Sequence, residues 1–146
     1  MPLELEERER FRFYSLTPRE REELLERLRE ELCNRDEVKL AVVFGSFLKD
    51  YPFRDIDVAV YVTGSIDPLD YKLRLEEELE RKIGYPVDIV ILNEAPPWFV
   101  RKVLKEGRTL FTKQPLLLER LYLKAIDEEQ HIKNPDKLEE HSEGSL

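Results

Sequence analysis

Two aspartates stand inside a strongly apolar stretch, "VVFGSFLKDYPFRDIDVAVYV", which runs from Val42 to Val62. Asp55 and Asp57 are separated by one residue and followed by alternating Val, Ala and Tyr. A carboxylate among residues that favour burial is costly, and two side by side cost more. Solvent at the strand end, a basic neighbour such as Arg54, or a divalent metal ion could each stabilise the pair. Strand residues alternate between faces, so Asp55, Asp57, Ala59 and Tyr61 share one face, and Ile56, Val58, Val60 and Val62 the other. The same alternation in "VDIVIL" sets Val87, Ile89 and Ile91 against Asp88, Val90 and Leu92. If the two strands pair, Asp88 joins Asp55 and Asp57. Carboxylates this close raise one another's pKa. A hard divalent cation relieves that repulsion: Mg2+ takes oxygen ligands from a few carboxylates and from substrate phosphates. Two such ions can activate an attacking oxygen and stabilise a leaving phosphate.

An Asp-x-Asp alone is an ordinary solvated strand end, and a Gly-Ser alone is an ordinary turn. Together they are more. Gly45 ends an apolar strand, where a missing side chain lets a ligand approach the backbone. Ser46 offers a hydroxyl and an amide N–H to phosphate oxygens. The combination is a phosphate cradle, a metal pair and a third acid on a neighbouring strand. Tyr51 and Phe53, in the loop beside it, are candidates to stack on a base. Trp98 and Phe99 read as core or boundary residues, and Cys33 as a boundary residue. Arg101, Lys102, Lys105, Arg108 and Lys113 read as a solvated basic face able to meet an acidic partner. His131 and His141 have no metal-ligand spacing and read as solvated.

The elements that must position these residues are marked by local signals. In "TPRE", Thr17 can cap a helix, Pro18 suits its first position and Glu20 completes a capping box. Leu24, Leu25, Leu28 and Leu32 fall on one face, and the helix is expected to end near Asn34. A strand over Leu40–Phe44 leads through the loop Phe47–Arg54 to a second strand over Asp55–Val62. Asp67 and Pro68 start a second helix, with Leu69, Leu73, Leu79 and Ile83 expected on its buried face and Gly84 as its stop. A third strand over Val87–Leu92, a helix over Pro97–Glu106 ended by Gly107, a short strand at "TLF" and a helix over Pro115–Glu129 complete the series. In that last helix Leu117, Leu118, Leu121 and Ile126 are the expected buried positions. The order predicts an α/β (α+β) domain with a small mixed sheet flanked by helices. The short link between the first two strands leaves no room for a crossover helix and excludes a doubly wound dinucleotide fold. Residues 1–16 read as an N-terminal arm, 17–131 as the domain and 132–146 as a loose acidic tail.

A chain of 146 residues suits one domain with its own core. Its single cysteine excludes an internal disulfide and points to a reducing cytoplasm. No apolar run approaches a membrane span, and the charged start "MPLELEERERF" excludes a secretory signal. The net charge of −8 lies at the ends: residues 1–37 carry 8 Lys or Arg against 12 Asp or Glu, and residues 127–146 carry 2 against 7. The middle carries 14 against 13, so nothing there forms a broad basic footprint for nucleic acid.

The segments "VVFGS", "DIDVAV", "VDIVIL" and "EGRTLF", spread over Val38–Phe111, resemble the nucleotidyltransferase superfamily typified by DNA polymerase β. The likeness is greatest to its minimal nucleotidyltransferase (MNT) branch. The resemblance implies the polymerase β-like fold and transfer of a nucleoside monophosphate from ATP or another nucleoside triphosphate to an acceptor hydroxyl. It implies that Gly45 and Ser46 hold the triphosphate, that Asp55 and Asp57 bind two Mg2+, and that Asp88 is the third carboxylate, joining the metal ligands and acting as the base; Lys49 is a further candidate phosphate contact through its charge. Lys49-Asp50 stands where the family commonly has Arg-Gly, Arg54 where it commonly has Ser, and the Gly-Ser to Asp spacing is short. Many MNT proteins that it resembles act with small helical HEPN proteins in toxin–antitoxin pairs, as antitoxins that in some cases adenylylate the toxin, and the resemblance implies such a partner here. An MNT fold that neutralises a partner by contact alone, and a small-molecule enzyme of the aminoglycoside-modifying type, are the alternatives.

Overall fold

The computed structural model describes residues 12–133. Helix α1 spans Pro18–Cys33 and opens on the expected capping box: Glu20 N donates to Thr17 Oγ1 at 3.1 Å, and Thr17 N donates to Glu20 Oε1 at 2.9 Å. Strand β1 (Val38–Phe44) runs into a 3-10 turn, Gly45–Leu48, and β2 spans Ile56–Val62. Helix α2 (Pro68–Ile83) is capped by Asp67, which accepts from the amides of Leu69 and Asp70. Strand β3 (Val87–Ile91), helix α3 (Pro97–Glu106), strand β4 (Arg108–Thr112) and helix α4 (Leu117–Lys133) follow.

The four strands form one mixed sheet in the order β3-β2-β1-β4. β1 pairs antiparallel with β2 and with β4, whereas β2 and β3 are parallel, joined through α2. The strand alternation sorts the core into two layers. Val43, Val58, Val60 and Ile89 pack against α1 and α2. Leu40, Val42 and Ala59 pack against α3 and α4. Asp57 therefore lies on the α3 side of the sheet with Ala59 and Tyr61, as the alternation predicts. Gly107 lets α3 close onto β1: a Cβ there would sit 2.5 Å from Val42 Cγ1 and 2.9 Å from the Val43 carbonyl oxygen.

Several expected details differ. On α2 the buried stripe is Tyr71, Leu75, Leu79 and Ile83, while Leu69 and Leu73 are 63% and 55% exposed. Residues four apart share a face, and 69 and 73 belong to the flank opposite that stripe. Asp55 precedes β2 rather than opening it. The last helix begins at Leu117, after Leu116, whose φ is 61°. It buries Leu117 and Ala125, and leaves Leu118, Leu121 and Ile126 half-buried. The arm is described only over residues 12–16, where Tyr14 makes a two-bond antiparallel bridge to Phe53 (2.8 and 3.0 Å). The predicted tail and His141 lie outside the described residues. Among the described residues no helix is long and apolar enough to cross a membrane.

Candidate active site

The centre of the site is a contact between Gly45 and Asp57. Antiparallel pairing sets Phe44 opposite Asp57, so the chain leaves β1 directly beside that carboxylate. Gly45 has φ +81°, and a Cβ added to it would lie 2.4 Å from Asp57 Oδ2. The glycine is required twice over: by the left-handed backbone and by the carboxylate seated against its Cα. On the other side of β2 the parallel register sets Asp57 opposite Asp88. The expectation that Asp88 lies beside Asp57 is thereby met, while Asp55 stands in the bend just before β2, two residues before Asp57.

This placement raises the Asp57 carboxyl to about 7, chiefly through burial, then through the neighbouring charges of Asp55 and Asp88, against a smaller opposing pull from Arg54. Burial disfavours the ionised form and like charges disfavour it further. Arg54 is thus too weak a counter-ion to neutralise the cluster.

Asp88 has its own partner. Lys72 on α2 reaches Asp88 Oδ1 at 2.9 Å, Glu76 Oε2 at 2.6 Å and the Ile89 carbonyl oxygen at 2.7 Å. Glu76 Oε2 also accepts the Ile89 amide at 2.8 Å, and Glu80 Oε1 accepts the Val87 amide at 3.0 Å. Side chains at 72, 76 and 80, one turn apart, therefore occupy the outer backbone edge of β3 and cover a free strand edge. Desolvation pulls the Lys72 pKa down, but hydrogen bonds and charge from Glu76 and Asp88 outweigh it and hold Lys72 above its ordinary value. Lys72 was invisible as a site residue in sequence. The only signal was its i,i+4 spacing to Glu76 on the helix that must lead back to β3.

The Gly45–Leu48 turn is clamped from α1. Arg21 donates through Nη1 to the Phe47 carbonyl and through Nη2 to that of Tyr51 (2.9 Å). Its guanidinium also lies over the rings of Phe47 and Phe53, at 5.2 and 5.4 Å. Phe53 is fully buried, edge-on to Phe47 and packed beside Tyr14 and Tyr85. That corrects its assignment as a base-stacking candidate, since the Tyr14 bridge covers it. Tyr51 remains exposed. Ser46 is half-buried, and its carbonyl accepts the Lys49 amide at 3.0 Å. Trp98, expected in the core or at its boundary, is 53% exposed. Phe99 is half-buried, edge-on to Phe44. Arg101 and Arg108 are tied up by Glu129 and Glu22.

The donor set suits a hard divalent cation: carboxylate oxygens on adjacent strands whose repulsion is already expressed in Asp57. Among the described residues no three His, Cys, Asp or Glu side chains gather closely enough to enclose an ion unaided. The structure therefore does not gather Asp55, Asp57 and Asp88 into one ion-holding group.

A mixed sheet carrying Gly-Ser at the end of one strand and two carboxylates across the next two defines a nucleotidyltransferase domain of the polymerase β type. The family model described as "Polymerase beta, Nucleotidyltransferase" matches residues 26–116, and the chain belongs to that family. Among solved structures, the fold matches a chain of the toxin–antitoxin MntA-HepT crystal structure, with 21% identity and TM-score 0.59 over 89% of this chain and 100% of that one. It matches a chain of the tri-AMPylated Shewanella oneidensis HEPN toxin in complex with MNT antitoxin, with 22% identity and TM-score 0.58 over 87% and 97%. A toxin–antitoxin structure with AMP-PNP matches with 22% identity and TM-score 0.60 over 90% and 100%. No curated protein matches the chain.

Proposed function

We propose that the protein is a Mg2+-dependent nucleotidyltransferase that moves AMP from ATP to a hydroxyl of an acceptor, and that the acceptor is a small helical HEPN-type protein for which it serves as antitoxin. The observation that carries this reading is the Asp57 carboxylate pressed against the Cα of Gly45 with Asp88 in register beside it. A carboxylate raised to about 7 by burial and its neighbours has no evident structural use without a cation. The partner is supported by the shared fold of MNT chains solved with HEPN toxin, and the nucleotide by the related AMP-PNP structure. The free Cys33 suits a reducing cytoplasm.

In this reading Gly45, Ser46 and Lys49 hold the triphosphate, and Asp55 and Asp57, joined by Asp88, hold the metal. Bound Mg2+ supplies neutralisation of the carboxylates and of charge developing on the phosphates. The acceptor oxygen forms a bond to the α-phosphorus as the bond to pyrophosphate breaks in line, and the hydroxyl proton passes to Asp88. The ammonium of Lys72 fixes Asp88 on the sheet through a 2.9 Å contact to Oδ1. An apolar cavity of about 500 Å3, lined by Leu69, Ile91 and Trp98, lies beside Lys72.

A second reading, neutralisation by contact alone, is favoured by the ion pair that already satisfies Asp88 and by Lys49-Asp50 in the turn. Calorimetry with ATP tests the first reading. Binding is expected only with Mg2+ present, and Asp57→Asn is expected to abolish the metal-dependent part. Equal, metal-independent binding by wild type and Asp57→Asn would remove the carboxylates from the site.

A further inference from the structure

The turn that carries Gly45 and Lys49 faces α3 across a cavity of about 650 Å3, whose far wall includes Trp98, Phe99, Lys102 and Glu106. Residues 98, 102 and 106 are one turn apart and share a helix face. Such a volume suits a drug-sized ligand or a nucleotide. Resting on the nucleotidyltransferase reading, we infer that this face of α3 is the second half of the nucleotide site, with Lys102 binding the polyphosphate opposite Lys49 and Trp98 stacking on the base.

Three observations carry it. Lys102 is exposed, and among the described residues no carboxylate lies within ion-pair distance of it or of Lys49, although Glu106 lines the same cavity. Arg101, Arg108 and Lys72 are already paired, with Glu129, with Glu22 and with Asp88 and Glu76, and none of the three lines this cavity. A polyphosphate seated beside the Gly45 turn, next to the Asp57 carboxylate, needs cations on the walls, and Lys49 and Lys102 are the ones lining this cavity. Finally, the indole of Trp98 is half exposed yet held in place, edge-on to Phe99 at 5.8 Å, which is itself edge-on to Phe44 at 5.5 Å. An exposed, pre-oriented aromatic face is worth stacking energy to any base. Lys102, which reads in sequence as part of a solvated basic face, is thereby singled out by the cavity it lines.

Trp98 is the single tryptophan of the chain, so its fluorescence reports the site directly. In Mg2+ buffer, ATP is expected to change Trp98 emission saturably, with calorimetry in parallel giving the same affinity. Lys102→Met is expected to weaken ATP and tripolyphosphate binding about tenfold, the loss of one charge-assisted contact, and to leave AMP binding unchanged. Lys105→Met, on the same helix but outside the cavity, leaves all three unchanged. Lys102→Met binding ATP as tightly as wild type would overturn the inference, as would calorimetric ATP binding without a change in Trp98 emission. Both results leave the nucleotidyltransferase reading standing. A wild-type protein that binds no ATP by calorimetry overturns both.

Discussion

The contact between Gly45 and Asp57 can be measured as a coupling energy. In Gly45→Ala the new Cβ meets Asp57 Oδ2 at 2.4 Å and Cγ at 3.3 Å, but Asp57 Cβ only at 3.5 Å. The first distance is impossible and the last is ordinary, so the clash belongs to the carboxyl group alone. A left-handed φ costs an L-residue roughly 1–2 kcal/mol, and forcing Asp57 off its rotamer adds about 1 kcal/mol. The alanine recovers about 0.5 kcal/mol by restricting the unfolded chain. Gly45→Ala should therefore destabilise wild type by about 2 kcal/mol, and the Asp57→Ala background by about 1 kcal/mol. Urea unfolding of the four proteins at pH 7 gives the cycle, with an expected coupling of about 1 kcal/mol. Strict additivity would refute the seating of the carboxylate against the glycine.

Three further outcomes follow from the same geometry. Because the folded state holds Asp57 at about 7 against 3.8 for the free group, the native protein binds the extra proton between these values and loses stability as pH rises through that window. The full cost, present above pH 7 and absent below pH 4, has a ceiling of about 4 kcal/mol; partial solvent access reduces it to about 2 kcal/mol. Asp57→Asn should then be more stable than wild type in Mg2+-free urea titrations at pH 8, with the gain shrinking as pH falls from 7 towards 3.8; a pH-independent difference would contradict this. Lys72→Met removes the cation that ties Asp88, Glu76 and the Ile89 carbonyl together, and should cost about 1–3 kcal/mol with faster amide exchange over residues 87–91. Arg21→Met should leave the sheet intact but accelerate exchange over residues 47–53, since both carbonyl anchors of the loop are lost; unchanged exchange would show that the loop holds itself.

Features decided within a few residues were legible in sequence. The caps at Thr17 and Asp67 depend only on the next three residues, and both formed as expected. Alternation along "DIDVAVYV" told the faces of β2 apart, because Val and Asp cannot exchange sides without burying charge. Features decided by packing were not legible. Helix α2 buries Leu79 and Ile83 as expected, but it carries leucines on two flanks, and only the sheet beneath it selects Tyr71 and Leu75 over Leu69 and Leu73. Phe53 looked like a loop aromatic until Tyr14, 39 positions earlier, paired with it. The Lys72–Asp88 pair and the Arg21 clamp join positions 16 to 30 residues apart, a separation at which local pattern carries no information. Trp98 was assigned inward by hydrophobicity, which does not distinguish a core face from a cavity wall.

The most direct test of the catalytic claim is covalent transfer. The protein is incubated with Mg2+, ATP labelled at the α-phosphate and the HEPN-type protein proposed as its partner, and that protein is then examined for label. Wild type is expected to label the partner, and the Asp55→Asn/Asp57→Asn double variant is expected not to, while still folding and associating with it. If no label moves and the double variant neutralises the partner as well as wild type does, the protein acts by contact and the carboxylate site is not catalytic.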